Sequence, residues 1–208
     1  SYVDNVSCHS NVNSLNQKPT VNAGEDFYIP KGTAYYLKAN AFDSDNDNLT
    51  YCWEQLDSGQ VNASNFGPDL LTGSINRSIP PSENQTRNIP NISQILNGNL
   101  VSSNPTLFSS WETVSNVERT LTWGLTVRDR SESNPNGMGQ ISQDVKKIFV
   151  TETAGPFRIV SNDSTDIVWK SGSNQKIIWD VANTDKAPIS TERISVFLSI
   201  DGGENFSI

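Results

Sequence analysis

Two stretches of this chain repeat with a period of two. In "LTYCWEQL" Leu49, Tyr51 and Trp53 alternate with Thr50, Cys52 and Glu54. In "RTLTWGLTVRD" Leu121, Trp123, Leu125 and Val127 alternate with Thr120, Thr122, Gly124 and Thr126. Successive side chains of an extended backbone point to opposite faces, so this alternation, rich in aromatic residues, marks half-buried strands and is incompatible with a helix. Further strand signals occur at "DFYIP", "AYYLKANAF" and "DVKKIFVTE". Only 35% of the residues are hydrophobic, yet five Trp, five Tyr and eight Phe supply bulky core material. The polar remainder is dominated by Asn, Ser and Thr, which favour turns over helices.

The order strand, strand, strand, long connection, strand, hairpin turn, strand outlines an immunoglobulin-like β-sandwich. Residues 1–18 read as a linker or the end of an upstream domain, and residues 19–153 as the first module. Between about 57 and 117 the alternation dissolves into Asn, Ser, Pro and Gly, which is too long for an ordinary loop and reads as an ordered, loop-rich insertion. One helical turn is expected there at "NISQILNG", with Asn91 as cap and Gly98 as terminator. Residues 154–208 hold "AGPFRIV", "TDIVW", "QKIIWDV" and "ISVFLSI", room for about four strands. A sandwich takes about seven, so a partial second module is expected. The fold class is therefore all-β, two modules with the second truncated.

The formal net charge is −8, and an acidic surface repels phosphate backbones, so no nucleic-acid partner is expected. No apolar run approaches the roughly 20 residues of a membrane span. "SYVDNVSCHS" has neither the basic start nor the apolar core of a signal peptide, and the chain is expected to be a piece of a longer protein.

The acidic stretch "FDSDNDNLTYCWEQ" has nearly the spacing of an EF-hand loop: Asp43, Asp45 and Asp47, then Glu54. An EF-hand places its last carboxylate at the start of a helix, whereas Glu54 lies in a strand pattern beside Trp53, and Asn48 stands where the turn glycine belongs. The EF-hand reading fails on context. Three alternating carboxylates on a tight loop can still converge hard oxygens on one Ca2+. Further ligands must come from elsewhere: Asp129, at the end of "LTVRD", is the first candidate and Asp26 a weaker one. The competing reading is a solvated acidic turn built on Asx motifs. A calcium site here would be structural.

Other chemistry is mostly excluded. Zinc sites of proteases take two or three His ligands, and His9 is the single histidine, so no zinc is expected in this stretch. No H-E-x-x-H, Ser-His-Asp or phosphate-loop pattern is present, and Glu54, Glu112 and Glu118 form no recognisable glycosidase pair. No catalytic residues are expected. Cys8 and Cys52 would close a loop of roughly 40 residues, for which the chain-entropy model gives a disulfide about 3–4 kcal/mol. Two separate buried thiols are the alternative. "SIDGGENF" has the S-x-D-x-G-x-x-F spacing of an Asp-box hairpin, a structural turn in which Asp201 folds back on the turn, Gly202 and Gly203 take unusual backbone angles and Phe206 anchors. Asn48, Asn62, Asn76 and Asn84 open glycosylation sequons. Phe66, Phe108 and Trp111 in the insertion are candidates for stacking on sugar rings, against the simpler role of plugging the insertion onto the sandwich.

"VNAGEDFYIPKGTAYYLKANAFDSDNDNLTYCWEQLDSG" resembles the opening of polycystic-kidney-disease-type, cadherin-like and related fibronectin III-like modules. More closely, "LTYCWEQ", "RSIPPS", "RNIPNISQILNG", "RTLTWGLTVRD", "AGPFRI" and "IIWDV" with "LSIDGGENF" resemble, in that order, the region that follows the catalytic domain in secreted, reprolysin-like bacterial zinc metalloproteases. The resemblance implies a noncatalytic, extracellular or cell-surface module pair. Its partners would be an upstream catalytic domain of the same polypeptide and a surface protein or polysaccharide, and a monomer is expected. It also implies calcium at Asp43, Asp45, Asp47 and Asp129. The usual D-G-D turn is replaced by Asp45-Asn46-Asp47, and Asn tolerates left-handed backbone angles better than most residues. A carbohydrate-binding or adhesion module is the alternative function.

Overall fold

The computed structural model describes residues 16–130, 139–161 and 167–206. The chain forms β1 (Thr20–Asn22), β2 (Phe27–Pro30), β3 (Tyr35–Lys38), β4 (Asn40–Phe42), β5 (Asn48–Gln55), β6 (Thr86–Ile89), α1 (Ile92–Leu96), β7 (Arg119–Arg130), β8 (Ile141–Thr151), β9 (Arg158–Ile159) and β10 (Trp179–Asp180). It is nearly all-β. A four-stranded sheet has the order β2-β8-β7-β5. β2 runs parallel to β8, and the other neighbours are antiparallel.

The alternation read from the sequence sets which face is buried. Leu121, Trp123, Leu125 and Val127 of β7 are almost fully buried, while on the opposite face Thr120 is exposed, Thr122 and Gly124 are half-buried and Thr126 is buried. Tyr51 and Trp53 of β5 and Ile148 and Val150 of β8 join them. β3 pairs antiparallel with β6, and its Leu37, with Ile89 of β6, enters the same cluster from a second sheet. Two sheets enclosing one core are consistent with a β-sandwich.

"AYYLKANAF" reads as one strand but divides at Ala39. β3 pairs with β6, whereas β4 pairs with β1, and the buried Ala39 donates its N–H to the Gln85 carbonyl at 3.0 Å. The stretch 57–117, expected to hold no strand, contains β6. Its "TRNI" pattern escapes detection because the inward position next to Ile89 is a charged residue, Arg87. That arginine is buried: Nη1 donates to the Trp53 carbonyl and Nη2 to the Arg77 carbonyl, both at 2.6 Å. Nη2 also pairs with Glu112 Oε1 at 2.8 Å, and the guanidinium lies over the Trp123 ring.

A second arginine ties down the rest of the connection. Arg119 Nη1 and Nη2 donate to the Leu70 and Gly73 carbonyls, both at 2.7 Å, and Nη2 lies 3.5 Å from Asp57. Here the chain crosses itself closely: a Cβ on Gly59 would stand 2.6 Å from the Gly73 nitrogen. Residues 79–82 cover the outer edge of β5. Ser82 exchanges two backbone hydrogen bonds with Tyr51, and the Ile79 carbonyl accepts from Cys52 Sγ at 3.6 Å. α1 is the helical turn expected from the sequence. The Asn91 side chain caps the Gln94 N–H, and Gly98, at φ 70°, closes a Schellman motif with Asn99 N donating to the Gln94 carbonyl.

Beyond Thr151 regular structure thins. β9 and β10 pair as a short hairpin, and among the described residues no regular strand follows Asp180. The alternation at 194–200 forms no strand, and Ile194, Val196, Phe197, Leu198 and Ile200 are exposed. A strand's apolar face persists only when a neighbouring layer buries it. The Asp-box turn does form. Asp201 Oδ1 accepts from the Asn205 N–H at 2.9 Å and from Ser199 Oγ at 2.7 Å, and Gly202 and Gly203 have φ of 72° and 88°. These donors hold the Asp201 carboxyl down at about 2. Phe206, the expected anchor, is instead 53% exposed.

Candidate metal centre

The acidic loop joins β4 to β5, and its shape follows from Asp43. Asp43 Oδ1 accepts the backbone N–H of Asp45 at 2.9 Å and of Asp47 at 3.2 Å. The Asp43 carbonyl accepts from Asn46 N, and Asn46 takes the left-handed φ of 62°. Asparagine thus fills the backbone role a glycine would otherwise take.

This turn gathers the three carboxylates: one oxygen from each of Asp43, Asp45 and Asp47 lies within 4.8 Å of the others. Carboxylate oxygens gathered this closely can be ligands of one cation. The environment grades from inside to outside. Asp43 is 5% exposed, Asp47 half-buried and Asp45 exposed. Asp43 Oδ2 is buried and has no hydrogen-bond partner among the described residues. A buried carboxylate oxygen with no donor is costly, and a cation is the chemistry that satisfies it. The donor set is all hard oxygen, which suits Ca2+ or Mg2+ and not zinc.

Asp129 is brought to the same end of the sheet, opposite Leu49 of β5, and is 3% exposed. It lies outside the group of three converging carboxylates. Its Oδ1 accepts from Gln140 N and its Oδ2 from Asn16 Nδ2 at 3.1 Å. The next residue, Gln17, donates its N–H to Asp45 Oδ2. Two consecutive residues thus connect Asp129 to the acidic loop. Residues 1–18 read as linker, yet Asn16 is 8% exposed and Pro19 fully buried. A lone Asn in a polar stretch carries no signal of that.

Asp26 is elsewhere. Its Oδ1 accepts from Lys147 N at 2.7 Å. Lys147 lies six residues beyond Ile141, the β8 residue nearest Asp129 in register, or roughly 20 Å along the strand. Asp26 is therefore a brace between β2 and β8. The neighbouring Lys146 is buried over the Phe27 ring, and burial pulls its ammonium below the usual lysine range, opposed by Asp26 and Glu25.

The aromatic candidates separate. Phe66 is 3% exposed and packs edge-on against Trp111, with centroids 5.3 Å apart. Trp111 is half-buried, and the Arg77 guanidinium lies over its ring at 4.9 Å. Phe66 therefore plugs the connection onto the core and offers no face to a sugar, and Trp111 is already stacked. Phe108 is 96% exposed. Trp111 borders a cleft of about 480 Å³ with Arg77, Asn84, Asn91, Ser110 and Glu112, where Glu112 is held by the Arg87 ion pair. Asn76 cannot carry a glycan as placed: it is 2% exposed, and its amide engages Gln55 and Thr113. Cys52 is buried, and burial pushes its thiol up. Its candidate partner Cys8, like His9, lies outside the described residues.

No protein-family model matches the chain, and neither a curated protein nor a solved structure matches it.

Proposed function

We propose that the chain is a noncatalytic, extracellular accessory region whose immunoglobulin-like module is stiffened by Ca2+ at Asp43, Asp45 and Asp47. The observation that carries this reading is that Asp43, one of three converging carboxylates, has a buried Oδ2 without a hydrogen-bond partner among the described residues. The strand arrangement supports the immunoglobulin-like part. β5, β7 and β8 correspond to the C, F and G strands of that architecture and β3 and β6 to B and E, and Trp53 occupies the buried tryptophan position of strand C. Together with the resemblance in motif order, this favours a spacer or substrate-orienting region of a secreted bacterial metalloprotease.

The chain's own residues do the clamping. Asp43 shapes the turn, Asn46 takes the left-handed corner, and the three carboxylates supply the negative charge. Without a cation the three carboxylates repel one another, least on the exposed Asp45 side. Asp43, Asp45 and Asp47 would hold a Ca2+ between β4 and β5, and its charge would offset that repulsion. Of the three aromatic candidates for carbohydrate binding, Phe108 alone is fully exposed.

Thermal unfolding with calcium and with chelator tests the reading. At a calcium concentration 100 times Kd the gain is about 2.7 kcal/mol. At about 2–4 °C per kcal/mol for a chain of this size, Tm rises by about 5–11 °C. The rise disappears in Asp45→Ala. An unchanged Tm on chelation sinks the proposal.

A further inference from the structure

Asp45 is the exposed member of the acidic cluster, and an exposed aspartate samples several rotamers unless something holds it. Gln17 does so from the segment leading into β1, by donating its N–H to Asp45 Oδ2. Gln17 is placed in turn by its neighbour. Asn16 is 8% exposed, and its amide nitrogen donates to Asp129 Oδ2, while Asp129 Oδ1 is fixed by Gln140 N. The order Asp129, Asn16, Gln17, Asp45 forms a continuous brace from the end of β7 to the one carboxylate of the cluster that its own turn leaves exposed.

We propose that Asn16 and Asp129 are positioning residues for the cation site, and that cation binding and docking of residues 16–17 are coupled. This rests on the calcium reading above. Both events draw on the same orientation of Asp45, whose Oδ2 accepts from Gln17 and whose carboxylate belongs to the converging group. Each therefore favours the other, and the coupling is reciprocal. The ion holds the lead-in segment onto the module, and the segment pre-organises the ion's outer ligand.

The test uses the whole chain. Calcium affinity is measured by calorimetric titration for the wild type, for Asn16→Ala and for Cys52→Ala, a control that loses packing remote from the loop. Exchange of the Gln17 amide is followed with and without calcium. Asn16→Ala is expected to weaken calcium about tenfold, a change of about 1.4 kcal/mol, with Cys52→Ala unchanged in affinity. In the wild type, calcium slows Gln17 exchange by a similar factor. Wild-type calcium affinity retained in Asn16→Ala, or Gln17 exchange indifferent to calcium in a protein that binds it, overturns the coupling. If Asn16→Ala does not fold, the wild-type exchange experiment decides alone. A wild type that binds no calcium fails at the earlier step, and the titration identifies that outcome separately.

Discussion

Replacing Arg87 with Met gives the sharpest check on how the long connection is held. Methionine keeps an apolar stem against Trp123 but removes the guanidinium. The Trp53 and Arg77 carbonyls then lose the guanidinium donors, and Glu112 loses its cationic partner, keeping the hydrogen bonds from Asn91 and Ser110. Both partners are almost fully buried, at 4% and 6% side-chain exposure. Removing one member of such a pair costs about 3–5 kcal/mol. For a chain of this length, that lowers Tm by about 6–20 °C. Urea denaturation followed by tryptophan fluorescence reads the loss, because Trp53 and Trp123 are core residues. Glu112→Gln in the same background removes the stranded charge while leaving an acceptor for Asn91. The double variant should recover about 2 kcal/mol relative to additivity. A loss under about 1 kcal/mol for Arg87→Met, or strict additivity of the two changes, would refute the claim that this pair is desolvated and anchors the connection.

Other outcomes follow from the same geometry. Asn46→Gly, at φ 62°, should leave stability within about 1 kcal/mol of wild type, whereas Asn46→Val should lower it by about 1–2 kcal/mol, as read by denaturant midpoint. Burial pushes the Tyr35 phenol well above the usual tyrosine range. Its folded-state value exceeds its unfolded one, so its contribution to stability is complete below pH about 10 and is lost as pH rises above that. Phenolate absorbance should show Tyr35 ionising only with unfolding, and ionisation together with the exposed tyrosines would contradict its burial. Asp201 behaves in the opposite sense. Its carboxyl is held at about 2, so the turn's contribution is present above pH about 4 and fades as pH falls toward 2. A carboxyl NMR titration with an ordinary aspartate midpoint would show that the turn is open.

The parts of the molecule legible in the sequence are those governed by period and by local turn chemistry. β5 and β7 follow from alternating aromatic and aliphatic residues, α1 from Asn91 and Gly98, and the C-terminal turn from Ser199, Asp201 and the two glycines. The convergence of Asp43, Asp45 and Asp47 was legible because a tight loop brings alternating side chains together. Tertiary polar pairings were not. β6 was hidden because Arg87 occupies an inward position, and it sits there only because Glu112, distant in sequence, neutralises it. Asn16 gave no sign of joining Asp129, since a single amide hydrogen bond across 113 residues has no sequence period. The alternation at 194–200 shows the converse: a strand-like pattern does not become a strand without a layer to cover it.

The central claim is that the acidic loop is a calcium clamp organised by Asp43. Calorimetric titration of Ca2+ into the chain and into Asp43→Asn tests it most directly. Asparagine preserves an acceptor for the N–H groups of Asp45 and Asp47 and removes the buried charge. One saturable site is expected in the wild type, with its loss in Asp43→Asn and the fold intact by circular dichroism. Equal binding by the two proteins, or no binding by either, would contradict it.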